Sequence, residues 1–162
     1  MISSVAGSFT RFSGSVETTG DDFTSAKVEF TAEIDSISTN NEQRDAHLKN
    51  GDFFDSPAFP QLYFESSKLV RVDEETYSLQ GELTIRDKTK PVTFEVEYGG
   101  TTIDPWGGTR AGFSLKGKIK RSDFGISFGM VSETGGILLA DDVKLSAEVQ
   151  FVKEVIAVSE LV

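Results

Sequence analysis

Lys27-Val28-Glu29-Phe30-Thr31-Ala32-Glu33-Ile34-Asp35 decides the fold class. Val28, Phe30, Ala32 and Ile34 take every second position, and the residues between them are charged or hydroxylated. Side chains alternate across a strand, so this stretch has one dry face and one wet face. The same period continues through Leu62 and Phe64, then Tyr77, Leu79, Leu83 and Ile85 with Gly81 in register, then Val92, Phe94, Val96 and Tyr98. It returns in Ala111, Phe113, Leu115 and Ile119, and in Val143, Leu145, Ala147, Val149 and Phe151. Nearer the start, Val5, Gly7 and Phe9 share one parity while Phe12, Gly14 and Val16 share the other; a bulge about Arg11 and Phe12 reconciles them. Strands are expected at 5–17, 26–38, 61–72, 76–86, 91–98, 109–120 and 142–153.

Polar punctuation separates these runs. Asp73-Glu74-Glu75 and Asp87-Lys88-Thr89-Lys90 read as short hairpin connections, and Asp104-Pro105-Trp106-Gly107-Gly108 as a longer turn. One short helix is expected: Thr39 with Glu42 three residues on reads as a capping box, and the segment through Lys49 ends where Asn50-Gly51 supplies a left-handed residue. One-sided strands in series must cover their apolar face, and a meander does so most simply as an antiparallel up-and-down β-barrel of the eight-stranded type. The whole chain, 1–162, forms one such domain. Successive connections of a meander alternate between the two ends. The long segments 39–60 and 121–141 and the turn 87–90 are therefore expected together at one mouth, as a lid or a plug.

Composition narrows the function classes. The 162 residues carry 26 acidic against 16 basic side chains, a net charge of -10. That field repels a phosphate backbone and gives no basic cluster for nucleic acid. It also disfavours anionic membrane surfaces. No stretch approaches the ~18 apolar residues of a spanning helix. There is no cysteine, so thiol chemistry and disulfides are out. The start, Met1-Ile2-Ser3-Ser4-Val5, has neither a basic leader nor an apolar run, so no secretory signal is expected in the chain as given. The compartment stays open: cytoplasmic as written, periplasmic if the chain is truncated upstream.

Few constellations point to chemistry. Gly125-Ile126-Ser127-Phe128-Gly129 matches the nucleophile-elbow pattern, but that motif needs a strand before it, a helix after it and a downstream histidine. His47 is the single histidine and lies upstream, so a histidine-rich metal site cannot form and no metal or cofactor is expected. Beside Asp45 it could act as a general base, or as a loop imidazole bonded to a nearby carboxylate or carbonyl. The pairs Asp21-Asp22, Asp52/Asp55 and Asp141-Asp142 lack calcium-loop spacing and read as solvated turns. Arg121 and Asp123 are expected to pair with each other or with backbone and fix the second long loop; Arg44 and Asp45 do likewise in the first.

The 13 phenylalanines are the main physical clue. Parity places Phe30, Ile34, Leu62, Phe64, Leu79, Leu83, Phe94, Val96, Phe113, Leu115, Ile119, Leu145 and Phe151 inside. Phe53, Phe54, Phe124 and Phe128 fall in the two long mouth loops beside His47. A filled core and a hollow lined by the same residues are both compatible with that pattern.

A family resemblance enters at the loops. Arg44-Asp45-Ala46-His47-Leu48-Lys49-Asn50-Gly51-Asp52-Phe53-Phe54-Asp55, with Phe59-Pro60 and Phe64-Glu65-Ser66, resembles the signature of the YceI-like family. Gly81-Glu82-Leu83-Thr84-Ile85-Arg86-Asp87-Lys88-Thr89-Lys90-Pro91-Val92, Arg121-Ser122-Asp123-Phe124-Gly125 and Gly7-Ser8-Phe9-Thr10-Arg11-Phe12-Ser13-Gly14 resemble three further family elements in the same order. The resemblance runs from about residue 5 to 153. It implies a lipocalin-like barrel that is not an enzyme, whose interior residues above line a cavity for an extended apolar ligand such as a polyisoprenoid. The residues of the two loops would then stand at its mouth, near the ligand's polar head. Family members carry one further strand before the glycine that matches Gly7. The strand-like tail Glu154–Val162 or a partner chain, giving a homodimer, is expected to cover the seam left open. Two other readings remain: a small hydrolase or isomerase using His47 with an Asp, and an interaction module with a filled core.

Overall fold

The expected alternation is realised along whole strands. The structure, a computed structural model, describes residues 5–20, 23–129 and 139–153. In chain order the strands are β1 (Ser8–Phe9), β2 (Phe12–Glu17), β3 (Lys27–Glu33), β4 (Ile37–Ser38), β5 (Gln61–Arg71), β6 (Thr76–Ile85), β7 (Lys88–Ile103), β8 (Thr109–Lys120) and β9 (Asp142–Val152), with one helix, α1 (Glu42–Lys49). Seven of the strands form one antiparallel sheet in the order β2-β3-β5-β6-β7-β8-β9, and β1 pairs with β4 alone. Strand β9 alternates without a break between exposed and half-buried residues from Asp142 to Val152, the one-face-dry pattern of its sequence.

The sheet curls into an open half-barrel. No ladder joins β2 to β9, yet the Phe151 ring on β9 comes to 4.0 Å from the place a Cβ would occupy on Gly14 of β2. The two edges therefore face each other across an unpaired seam. Phe12, which has inward parity on β2, is 56% exposed there. The tail expected to cover this seam lies outside the described residues.

Three local expectations need correction. The first two long strands are each interrupted at the same level, and the device is not a bulge in one ladder. A 3-10 turn at Ile34–Ser36 separates β3 from β4 while Thr10-Arg11 separates β1 from β2. The freed groups bond across the gap, Glu33 N–H donating to the Arg11 carbonyl (2.9 Å) and Thr10 N–H to that of Ser36 (3.2 Å). The helix cap is Asn41, whose side chain accepts from Arg44 N–H at 3.0 Å; Thr39 is not the cap. The helix does not end on a left-handed Asn50 or Gly51. Asn50 is extended, with φ -86 and ψ -178, and the left-handed residue is Asp55 with φ 52.

Strand β7 is also longer than the run 91–98, because its polar ends lack the apolar signal. At one end the turn tightens to Arg86-Asp87, so that Lys88 already pairs with Ile85. At the other, a register shift between Tyr98 and Gly100 carries the strand on to Ile103, paired only with β8. The β7–β8 turn is organised by Asp104, whose carboxylate accepts from the N–H groups of Trp106 (2.9 Å) and Gly108 (2.8 Å) and from Arg110 (3.2 Å).

The core gathers on one side of the curl. Ala32, Ile34, Leu62, Phe64, Tyr77, Leu79, Leu83, Ile85 and Val96 are buried together with Phe53, Phe124 and Ile126 from the long loops. These loop residues make one end of the barrel a plug.

Candidate functional site

Antiparallel order brings the two long connections and the β6–β7 turn to the same end, and side chains join them. The His47 ring lies between Phe53, at 5.0 Å between centroids, and Phe128 at 4.9 Å, both edge-to-face. Phe53 and Phe128 meet each other at 5.2 Å. From the turn, an Arg86 terminal nitrogen donates to the Phe53 carbonyl at 3.3 Å, and its Nε is buried with no hydrogen-bond partner among the described residues.

Each loop is fixed by an arginine and a carboxylate. In the first, Asp45 accepts from both the N–H (2.8 Å) and the hydroxyl (2.5 Å) of Thr39. Arg44 donates to the Thr39 hydroxyl (2.8 Å) and carbonyl (2.7 Å). That convergence is why Thr39 is unavailable as a helix cap. Beyond the helix, Phe54 N–H donates to Leu48 C=O (3.0 Å) and Ser56 N–H to Lys49 C=O (2.8 Å), turning Phe53 into the core. Phe54 packs edge-to-face on Phe9 at 6.0 Å.

In the second loop, Arg121 does not pair with Asp123. Its three nitrogens donate to the carbonyls of Ala140 (3.0 Å), Phe128 (3.0 Å) and Leu139 (3.2 Å), tying the two described ends of the loop together. Asp141 accepts from the Ser122 hydroxyl (2.7 Å) and N–H (2.8 Å). The hydroxyl bond, then the N–H bond, hold the Asp141 carboxyl below the usual carboxylate range. A depressed native pKa contributes stability above the ordinary carboxylate range and loses it as pH falls through the depressed value. Asp141→Asn should therefore lower the denaturant midpoint at neutral pH and flatten, without abolishing, its decline in acid; equal acid slopes in the two proteins would contradict this. Asp73 and Asp104, also depressed by backbone N–H donors, supply the remaining slope.

The catalytic alternatives acquire a definite geometry. His47 Nε2 lies 2.8 Å from Asp52 Oδ2, and Asp45, the neighbour read from sequence, is turned to Thr39. The carboxylate fixes the imidazole between two aromatic edges, which makes it a staple between the loops. Ser127 is exposed between Gly125 and Gly129, both left-handed at φ 73, and a 3-10 turn leads into it where a nucleophile elbow needs a strand. Among the described residues no group of three or more His, Asp or Glu gathers as a metal site.

The inner wall is uneven. Leu62, Phe64, Leu79, Leu83 and Val96 are buried, while Phe30, Phe94, Phe113, Leu115, Ile119, Leu145 and Phe151 remain only half-buried although they face inward. Opposite the plug, Phe23 covers the interior, its ring 5.3 Å from Tyr98, 5.6 Å from Phe113 and 6.3 Å from Tyr77. Phe23 was not legible in the sequence: a lone aromatic in a polar connection has no period. At the rim between β7 and β8 a cleft of about 430 Å³ joins Val92, Ile119 and Phe124 to Lys90, Lys118, Lys120, Asp123 and Asp142. Lys118 is paired there with Asp142 at 3.2 Å. A second cleft, of about 680 Å³, lies at the opposite end beside Arg71, Glu75, Glu97 and Gly100.

A curled antiparallel sheet with loops plugging one end and an apolar inner wall defines the lipocalin-like class of barrels. The YceI-like domain model matches residues 1–151, and the chain belongs to that family. It is similar to UPF0312 protein SA2479 of Staphylococcus aureus strain N315, with 39% identity over 93% of this chain and 86% of the relative. UPF0312 protein SAS2572 of strain MSSA476 is 40% identical over the same shares. Among solved structures, the Campylobacter jejuni YCEI protein matches with a TM-score of 0.85 and 34% identity, covering 95% of this chain and 88% of that one. Burkholderia cenocepacia BcnA matches in fold, with a TM-score of 0.78 at 24% identity, covering 90% of this chain and 86% of its own.

Proposed function

We propose that the protein binds and carries an extended apolar molecule of the polyisoprenoid kind, held along the inner wall and not chemically altered. The observation that carries this reading is the half-buried apolar face of β7, β8 and β9. Six large inward side chains there, Phe94, Phe113, Leu115, Ile119, Leu145 and Phe151, are left partly uncovered by the protein itself, while Leu62, Phe64, Leu79 and Leu83 on β5 and β6 are packed. A hydrocarbon laid against them would gain ~25 cal/mol per Å² removed from water. Few hydrogen bonds are needed, and those only at the head. The unspent Arg86 donor and the lysine-bearing cleft at the rim supply polar partners at the plugged end.

Access would follow movement of the two arginine-clamped loops that hold Phe53 and Phe124. The edge strands β2 and β9, with Phe12 exposed beside them, favour pairing with a second copy. Native mass spectrometry tests the carrier reading. A lipid-mass adduct, or stoichiometric uptake of an added polyprenol, is expected. A chain that neither carries nor takes up an apolar molecule would overturn it. In that case His47→Ala, assayed for turnover, would be the experiment for the His47–Asp52 pair.

A further inference from the structure

Glycines on the inner face lie beneath phenylalanine rings from neighbouring strands. A Cβ added to Gly117 on β8 would meet the Phe94 ring at 2.5 and 2.6 Å; one added to Gly81 on β6 would meet the Phe64 ring at 2.6 and 2.7 Å and, closer still, the Glu65 backbone carbonyl oxygen. Non-bonded carbons rest at ~3.5–4.0 Å, so Gly117 admits a side chain only if the Phe94 ring moves, whereas Gly81 is closed by backbone as well as by a ring. At Gly14 on β2 the Phe30 and Phe151 rings stand 3.6 and 4.0 Å from the same point. A ring on β5 covers a glycine on β6 and one on β7 covers β8, while Gly14 on β2 is approached by Phe30 from β3 and, across the unpaired seam, by Phe151 from β9.

Such pairs stabilise sheets by covering bare backbone. They also have a consequence for the interior. A ring resting on a glycine projects little beyond its own thickness, whereas a ring pushed off by a methyl group stands up into the lumen. Phe64 and Phe94 meet edge-to-face at 5.3 Å, so each limits the other's freedom to shift sideways. A barrel of about this strand number has room for side chains or one small ligand, so the height of these rings decides what fits.

We propose that the ring-over-glycine pair Phe94–Gly117 sets the free bore of the barrel, and that Gly117 thereby selects a slender flexible chain and excludes rigid fused-ring lipids. This rests on the carrier reading. A chain one carbon wide can bend past successive rings; a fused-ring plate cannot.

The test is equilibrium binding of a long-chain polyprenol and of cholesterol by the whole chain, read beside the chemical shift of the Gly117 Hα that points along the missing Cβ. The native protein should bind the polyprenol and not cholesterol. Gly117→Ala should weaken polyprenol binding at least ~10-fold, a change of about 1.4 kcal/mol. Phe94→Leu, which removes the ring with no clash, should admit cholesterol. The Gly117 Hα should lie upfield under the Phe94 ring with or without ligand, and return to an ordinary position in Phe94→Leu. Unchanged polyprenol affinity in folded Gly117→Ala overturns the proposal, as does native binding of cholesterol as tight as that of polyprenol. If Gly117→Ala does not fold, Phe94→Leu decides, and failure to gain cholesterol overturns it. Binding of neither probe by a native protein that keeps the upfield shift removes the carrier reading and leaves the rings as packing alone.

Discussion

Phe124→Ala should lower the unfolding free energy by about 3–5 kcal/mol, the range for truncating a fully buried aromatic. Phe124 is 2% exposed and belongs to the cluster that joins Leu83 and Ile85 to Phe53 and Ile126. Its backbone cannot collapse into the space, because the preceding Arg121 is held to three carbonyls and Gly125 follows in a left-handed turn. A domain of this size is stable by only ~5–15 kcal/mol, so this one change would remove a large share. Phe128→Ala, at a residue 43% exposed, should cost about 1 kcal/mol, the scale of its aromatic contacts. Urea midpoints compare the two. Equal losses would mean that Phe124 is not the plug described above.

If the protein carries an apolar molecule as proposed, Phe113→Glu should sharply weaken its binding while leaving the fold standing. Phe113 lies on the inner wall, its ring 5.4 Å from Tyr98 and 6.1 Å from Phe151, and it is only half-buried. In the empty protein a carboxylate there can keep water from the open side. With a hydrocarbon alongside it would have to be desolvated, and an unpaired buried charge costs several kcal/mol. Apolar-probe affinity should fall at least ~100-fold, about 2.7 kcal/mol. Titration of a fluorescent fatty acid measures it. Unchanged affinity in a folded Phe113→Glu protein would place the ligand elsewhere.

What the sequence made legible was whatever period two controls. Val28-Phe30-Ala32-Ile34 and Val143-Leu145-Ala147-Val149-Phe151 assign their strands because burial on one face dictates every second residue. Strand order then sets which connections share an end, and that alone places His47, Phe53 and Phe128 at one mouth.

What was hidden depends on choices between near-equivalent partners. Thr39 and Asn41 both suit a helix cap, and the decision fell to Asp45 and Arg44 taking Thr39. His47 has acidic residues on both sides in sequence, and only the turn after α1 selects Asp52. Strand β7 hid its far end because the irregularity after Tyr98 breaks the alternation. The glycines beneath the rings needed cross-strand register: Phe94 faces Gly117 only because Glu95 pairs with Lys116.

An isotope-filtered NOE experiment on a labelled sample holding an unlabelled polyprenol asks most directly where an apolar molecule sits. Contacts from the isoprenoid protons to the side chains of Phe94, Phe113, Leu115 and Leu145 are expected. Contacts confined to the outer face, or a saturated probe that touches none of these four, would contradict an apolar bore as the site of binding.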